Sequence, residues 1–164
     1  MRAPLGIAMM LAVARAALAY DMNGVALGDS ERAVQAAFPS AFCRPLEWQT
    51  TAADRRCDDG KSSFAGVAAR VTFYLKGDAV QAFDVRFDAH DRERVAAFLK
   101  SRYGEPLSER VETISRPGKA DRQTYRARWQ KAGDKVLLSV RLGTRFAQLE
   151  VSRGDFAERI YRVN

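Results

Sequence analysis

Few residues in this chain have the types and spacing for chemistry, and the two that stand out are Cys43 and Cys57, which frame the stretch CRPLEWQTTAADRRC. They are the only cysteines. A zinc site wants four ligands, commonly in close Cys or Cys/His pairs, and here two thiols lie 14 apart with His90 the single histidine. A redox pair usually reads C-x-x-C, and a nucleophilic cysteine needs a base at hand. In an oxidising compartment an even cysteine count reads as a disulfide. Closing a loop of this size stabilises by about 3 kcal/mol in the chain-entropy model. The pair is expected to be a structural staple.

His90 lies in FDAHDRER, at a strand-to-helix junction with no serine or cysteine motif around it, so a capping or solvated role is expected rather than a catalytic one. Asp54, Asp58 and Asp59 lack the D-x-D-x-D-G spacing of a calcium loop. Neither a G-x-x-x-x-G-K-S/T nor a G-x-G-x-x-G stretch occurs, so nucleotide binding has no support. The sequence therefore points to no catalytic residue, no metal and no cofactor, and to a protein that is not an enzyme.

The start, MRAPLGIAMMLAVARAALAYD, has a positive n-region at Arg2, an apolar run from Leu5 to Ala14 and a small-x-small site at Ala17-Leu18-Ala19. That is the layout of a secretory signal peptide over residues 1–19, and the apolar run is too short to span a bilayer. Export to the periplasm or beyond follows as an expectation, with 20–164 as one domain. The whole chain carries +7; the leader holds two arginines and no acid, so cutting after Ala19 leaves +5. A basic exported protein suits a protein or an anionic envelope component as partner, and export disfavours nucleic acid.

The elements that must position these residues follow from periodicity. Asp29 or Ser30 can cap a helix whose Val34, Ala37 and Phe38 fall at i, i+3, i+4, ended by Pro39. AARVTFYLKGDAVQAFDVRFD alternates as a hairpin, with Val71, Phe73 and Leu75 facing Phe83, Val85 and Phe87 around Lys76-Gly77-Asp78. A second helix carries Val95, Phe98, Leu99 and Tyr103 before Gly104 and Pro106. A strand near 109–115, a loop at 116–121 and a second hairpin follow, the last with Tyr125, Ala127 and Trp129 against Val136, Leu138, Val140 and Leu142. A strand over 146–152 and a short helix over 155–162 complete the chain. Trp48 and Trp129 sit in apolar alternation and read as core.

The halves look like copies, about 24–88 and 89–152. Asp29-Ser30-Glu31-Arg32 recurs as Asp91-Arg92-Glu93-Arg94, 62 residues on; Pro45-Leu46 faces Pro106-Leu107, and Lys76-Gly77-Asp78 faces Lys131-Ala132-Gly133-Asp134. The fold class expected is α+β: an antiparallel sheet with helices on one face, a tandem duplication of a helix-plus-hairpin unit.

That order, with Gly24, Leu27-Gly28-Asp29-Ser30 and Val34 opening a helix that Phe38-Pro39 closes, resembles the small periplasmic domains of the BamE (SmpA/OmlA) lipoprotein group, and its doubling resembles the β-lactamase-inhibitor-protein fold. The resemblance covers two windows, 24–39 and 91–106, and departs from the first group in having no lipobox cysteine. It implies an exported, non-enzymatic, protein-binding module.

One surface carries a positive expectation. Arg126, Arg128, Lys135 and Arg141 alternate opposite the apolar face of the second hairpin, with Lys131 at its turn and Arg145 beyond, and so form a candidate basic binding patch. The alternative function is inhibition of a hydrolase of lactamase or lysozyme type, through the tethered loop 50–56, whose ordering cost on binding the staple would cut.

Overall fold

The structure is a computed structural model that describes residues 19–162. The leader expected over 1–19 lies, apart from Ala19, outside the described residues. No described helix is long and apolar enough to cross a membrane.

The described residues open with a small hairpin, β1 (Asp21–Met22) and β2 (Val25–Ala26), around Asn23 and Gly24 at positive φ. Helix α1 (Glu31–Ala37) follows, with the Ser30 hydroxyl accepting from the Ala33 N–H as the expected cap. Four strands come next: β3 (Phe42–Pro45), β4 (Arg55–Phe64), β5 (Val67–Lys76) and β6 (Ala79–Asp88). One 3-10 turn leads into α2 (Arg92–Tyr103), then β7 (Ser108–Arg116), β8 (Lys119–Lys131), β9 (Asp134–Arg141), β10 (Phe146–Arg153) and α3 (Phe156–Arg159). The protein is α+β.

The eight longer strands form one antiparallel sheet in the order β3-β4-β5-β6-β10-β9-β8-β7. Helix-then-four-strands therefore occurs twice, each set of strands is a meander, and the two meanders join through their last strands, β6 and β10. This sheet is larger than the helix-plus-hairpin repeat expected from the sequence. The extra strand β4 reads RRCDDGKSSF; it turns Asp59 toward the core side and has an irregularity between Asp59 and Ser62, so no apolar alternation announces it. The expected loop at 116–121 is a turn around Gly118 followed directly by β8, whose polar start extends past β9.

Two of the letter matches fall out of register. Pro45 ends β3, whereas Pro106 and Leu107 precede β7. Lys76-Gly77-Asp78 closes β5 to β6, but Lys131 to Asp134 closes β8 to β9; the topological counterpart of the first turn is Leu142–Arg145. The Asp29–Arg32 and Asp91–Arg94 matches do sit at two helix starts.

The core explains the layering. Val34 and Phe38 of the α1 region and Val95 and Leu99 of α2 share one buried cluster with Phe73, Phe83, Val85, Leu138 and Leu149. Alternation puts these strand residues on one face of the sheet, and both helices cover that face. Each fully buried Phe or Leu side chain contributes about 1.5–3 kcal/mol. Helix α3 departs from the one-face expectation: Phe156 and Ile160 pack with Tyr74 and Ala82, which have the opposite parity, and with Ala52, Ala53 and Trp48. It is also shorter than the expected 155–162. Trp129 is buried in the main core, and the Trp48 ring stacks on Tyr161 beside the smaller cluster.

Cys43 and Cys57 form a disulfide. They are directly opposed in β3 and β4, so the staple fixes an edge strand of only four residues to the sheet.

Candidate functional site

Beyond the end covered by α3, the second face of the sheet carries no helix, and its side chains follow from register. The central row runs Asp58, Thr72, Asp84, Glu150, Leu137, Arg128 across six strands, each residue directly opposite the next. A neighbouring row, two residues along, runs Arg70, Arg86, Gln148, Ser139, Arg126, Arg110. Strands are about 4.8 Å apart, so each row is roughly 24 Å long.

Two like-charged pairs lie at the middle of this face. Arg70 opposes Arg86 across β5 and β6, and Asp84 opposes Glu150 across β6 and β10. Like charges placed directly opposite are destabilising. Among the described residues, the side chains of Arg70, Arg86 and Arg128 enter no ion pair or hydrogen bond. Their neighbours are neutralised. Arg56 holds Asp58 through contacts of 2.8 and 2.6 Å, and the Thr72 hydroxyl donates to the same carboxylate at 2.7 Å. Burial opposes ionisation of Asp58, yet these hydrogen bonds and charges keep it below the usual carboxylate range.

The acid pair is different. Asp84 is 7% exposed. Burial pushes it up to about 6, against the Gln148 hydrogen bond and the charges of Arg86 and Arg56. Burial likewise pushes Glu150 up to about 7, with the Asp84 and Glu158 charges adding to the effect. Tyr74, buried beside Asp84, is raised for the same reason.

A cleft lies on each side of the β6–β10 seam. One, of about 300 Å³, is lined by Arg70, Arg86, Thr72 and Asp84, with Trp48 and Tyr161 as an aromatic wall. The other, of about 500 Å³, is lined by Arg128, Lys135, Leu137, Glu150, Ser152 and Glu158. Each cleft thus holds one member of the acid pair and at least one unpaired arginine.

The structure gives the expected basic patch a more divided character. Arg126, Arg128, Lys135 and Arg141 have the expected parity on the helix-free face. Arg126 pairs with Glu112 at 3.1 Å, Lys135 with Glu158 at 3.2 Å, and the Arg141 guanidinium lies 5.3 Å from the Phe146 ring centre. Arg145 pairs with Asp88 at 2.6 Å in the next turn, and Lys131 has the parity of the core-facing residues of β8. Arg128 is the one member of the six that both faces the clefts and stays unpaired among the described residues.

The tethered loop is held down. Ala52 and Ala53 are buried, the Thr50 hydroxyl donates to the Arg159 carbonyl at 2.8 Å and the Trp48 Nε1–H to the Ile160 carbonyl at 2.7 Å. Arg55 and Arg56 belong to β4. His90 lies on the surface with Nδ1 2.8 Å from Asp88 and Nε2 3.4 Å from Asp91, and among the described residues no serine or cysteine pairs with it. Among the described residues, Glu31, Cys43 and Cys57 bring metal-ligand atoms together, but both sulfurs are committed to the disulfide.

Sequence reasoning missed Arg70, Arg86, Asp84 and Glu150. The available signal was a charge at every other position of apolar strands, in FDVRF and LEV. What makes them notable is which faces which across strands far apart in sequence.

No family model matches the chain, and no curated protein matches it. Among solved structures, the crystal structure of a DUF4309 family protein (YjgB) from Bacillus subtilis aligns with a TM-score of 0.45 and 11% identity, covering 79% of this chain and 82% of that one.

Proposed function

We propose that this chain is an exported, non-catalytic binding protein that docks a protein partner on its helix-free sheet face. The observation that carries this reading is the pair of like-charged cross-strand contacts, Arg70–Arg86 and Asp84–Glu150, side by side on the sheet face that neither α1 nor α2 covers. Such contacts cost stability in the free protein, and local rules are broken where function requires it. The partner is a protein rather than a uniform polyanion, because the acid pair between the arginines repels continuous negative charge. A protein surface can offer acids to the arginines and donors to the carboxylates.

Export is supported by the leader-like start and by the disulfide, which belongs in an oxidising compartment. The repeated order of helix and four-stranded meander supports tandem duplication of one unit. The anchored state of loop 50–56 favours the sheet face over that loop as the binding element.

The test is a bulky substitution on the face, Ser139→Trp, against Gln35→Trp on exposed α1, with capture of partners at low and high salt from cells that make the protein. A salt-sensitive complex lost only in Ser139→Trp supports the reading. A complex equally lost in Gln35→Trp, or indifferent to both, contradicts it.

A further inference from the structure

Resting on that reading, we infer that Arg70 and Arg86 form a two-arginine clamp for one carboxylate, an aspartate or glutamate side chain presented by the docked protein. The two residues are directly opposed in β5 and β6, and both are exposed. Directly opposed side chains start about 4.5–5.5 Å apart at Cβ. Each guanidinium is a planar fork of donors that cannot be deprotonated. One carboxylate has two oxygens and about four acceptor sites, so it can take a fork from either side and cancel their mutual repulsion.

Nothing among the described residues already fills that role. Neither arginine makes an ion pair. Two carboxylates lie two residues from Arg86 on the same face of β6: Asp84, which is buried and takes its hydrogen bond from Gln148, and Asp88, which pairs with Arg145 at 2.6 Å; neither forms an ion pair with Arg86. The clamp stands as a ridge between two clefts. One has the Trp48–Tyr161 stack for a wall; the other, of about 460 Å³, is bounded by Gly60, Ala68 and Arg145. A side chain entering from the partner can lay its apolar stem against the aromatic wall and its carboxylate between the arginines.

The acid pair sets the charge that fits. Asp84 and Glu150 lie one row away from Arg86 and Gln148, so a second or third negative group close to the first meets repulsion. A lone carboxylate flanked by hydrogen-bond donors meets none. Arg128, three strands from Asp84, offers a second contact point at the far end of the face.

The experiment is NMR of arginine side-chain Nε–H groups in the whole protein, titrated with an end-blocked peptide of serine and glycine around a single glutamate and, separately, with inorganic phosphate. Arg70→Gln and Arg86→Gln are the variants. The clamp predicts that the Arg70 and Arg86 signals shift together and saturate with the peptide. Either substitution should weaken binding about tenfold, as loss of a charge-assisted contact does, and should move the shift of the remaining arginine to about tenfold higher peptide concentration. Shifts that never saturate and spread equally over exposed Arg32 and Arg94 would overturn the clamp. So would saturation by phosphate at lower concentration than by the peptide, which would make the anion a phosphate. The docking reading is judged apart. If Ser139→Trp destroys the complex while the peptide leaves both arginines unmoved, the face stands and the clamp falls. If the peptide saturates both but Ser139→Trp changes nothing, the clamp stands and the docking reading falls.

Discussion

Glu150→Gln should stabilise the protein above pH 7 and leave it unchanged near pH 4. Burial first, then the facing Asp84 carboxylate and Glu158, lift Glu150 from 4.5 to about 7. The folded protein therefore holds this proton more tightly than the unfolded chain does. The stabilisation is complete below pH 4.5 and is lost as pH rises through about 7. At about 1.4 kcal/mol per tenfold change in proton affinity the loss is on the order of 3 kcal/mol. Partial exposure of Glu150 to screening water trims it to about 2 kcal/mol. Asp84, raised by burial to about 6, acts in the same direction over a lower pH range.

The surroundings favour a clean reading. The pair is faced by Thr72 and Tyr74 from β5, Arg56 from β4, Arg86 along β6, Gln148 and Ser152 along β10, Leu137 and Lys135 from β9, and Glu158 of α3. Asp88, Glu109 and Glu112 are held below their ordinary values by hydrogen bonds from His90, Lys100 and Arg110, so they titrate on the acid side of this window. Urea denaturation at pH 5 and pH 8 gives the assay, with an unchanged slope required for comparison. The native protein should lose about 2 kcal/mol between the two, and Glu150→Gln should regain most of it at pH 8. At about 2–4 °C per kcal/mol for a domain of this size, that is a rise in Tm of about 4–8 °C. A native stability that is flat between the two pH values, or a glutamine variant less stable at pH 8, would refute the reasoning.

The same logic applies to the arginine pair: Arg86→Thr removes a like-charge contact and should stabilise the free protein by about 0.2–1 kcal/mol at low salt, an effect that fades in a salt series of melting curves. Reducing the Cys43–Cys57 bond, or replacing both residues by serine, should cost about 3 kcal/mol. In hydrogen exchange the loss of protection should begin in β3, which only β4 holds. Ala132 sits at φ 48° in the turn between β8 and β9, so Ala132→Gly should stabilise by about 1 kcal/mol in the same denaturation assay. Phe83→Ala empties a site with no exposure at the join of the two halves and should cost about 3–5 kcal/mol.

Much of the scaffold was legible because apolar alternation is a local signal. Val71 to Leu75 against Phe83 to Phe87, and Trp129 against Val136, announce their strands within a few residues of each other. The first helix was legible from a serine and an apolar spacing. Strand β4 was not, since its inward residues include Asp59 and its period breaks at the irregularity before Ser62. The join of β6 to β10 was not legible either: Asp84 and Glu150 lie in different halves of the chain, and periodicity fixes which way a side chain points but not what it meets. The candidate site suffers from both effects. Its arginines and acids look like ordinary solvated positions until register sets like charge against like.

The most direct test of the docking face is site-specific photo-crosslinking in cells, with the reactive amino acid replacing Ser139 at the centre of the sheet face or Arg94 on exposed α2. The account predicts a discrete protein adduct from position 139 that is absent from position 94 and is lost when Arg70 and Arg86 are both changed to glutamine. An adduct that forms from position 94 instead, or one from 139 that is indifferent to both arginines, would contradict it.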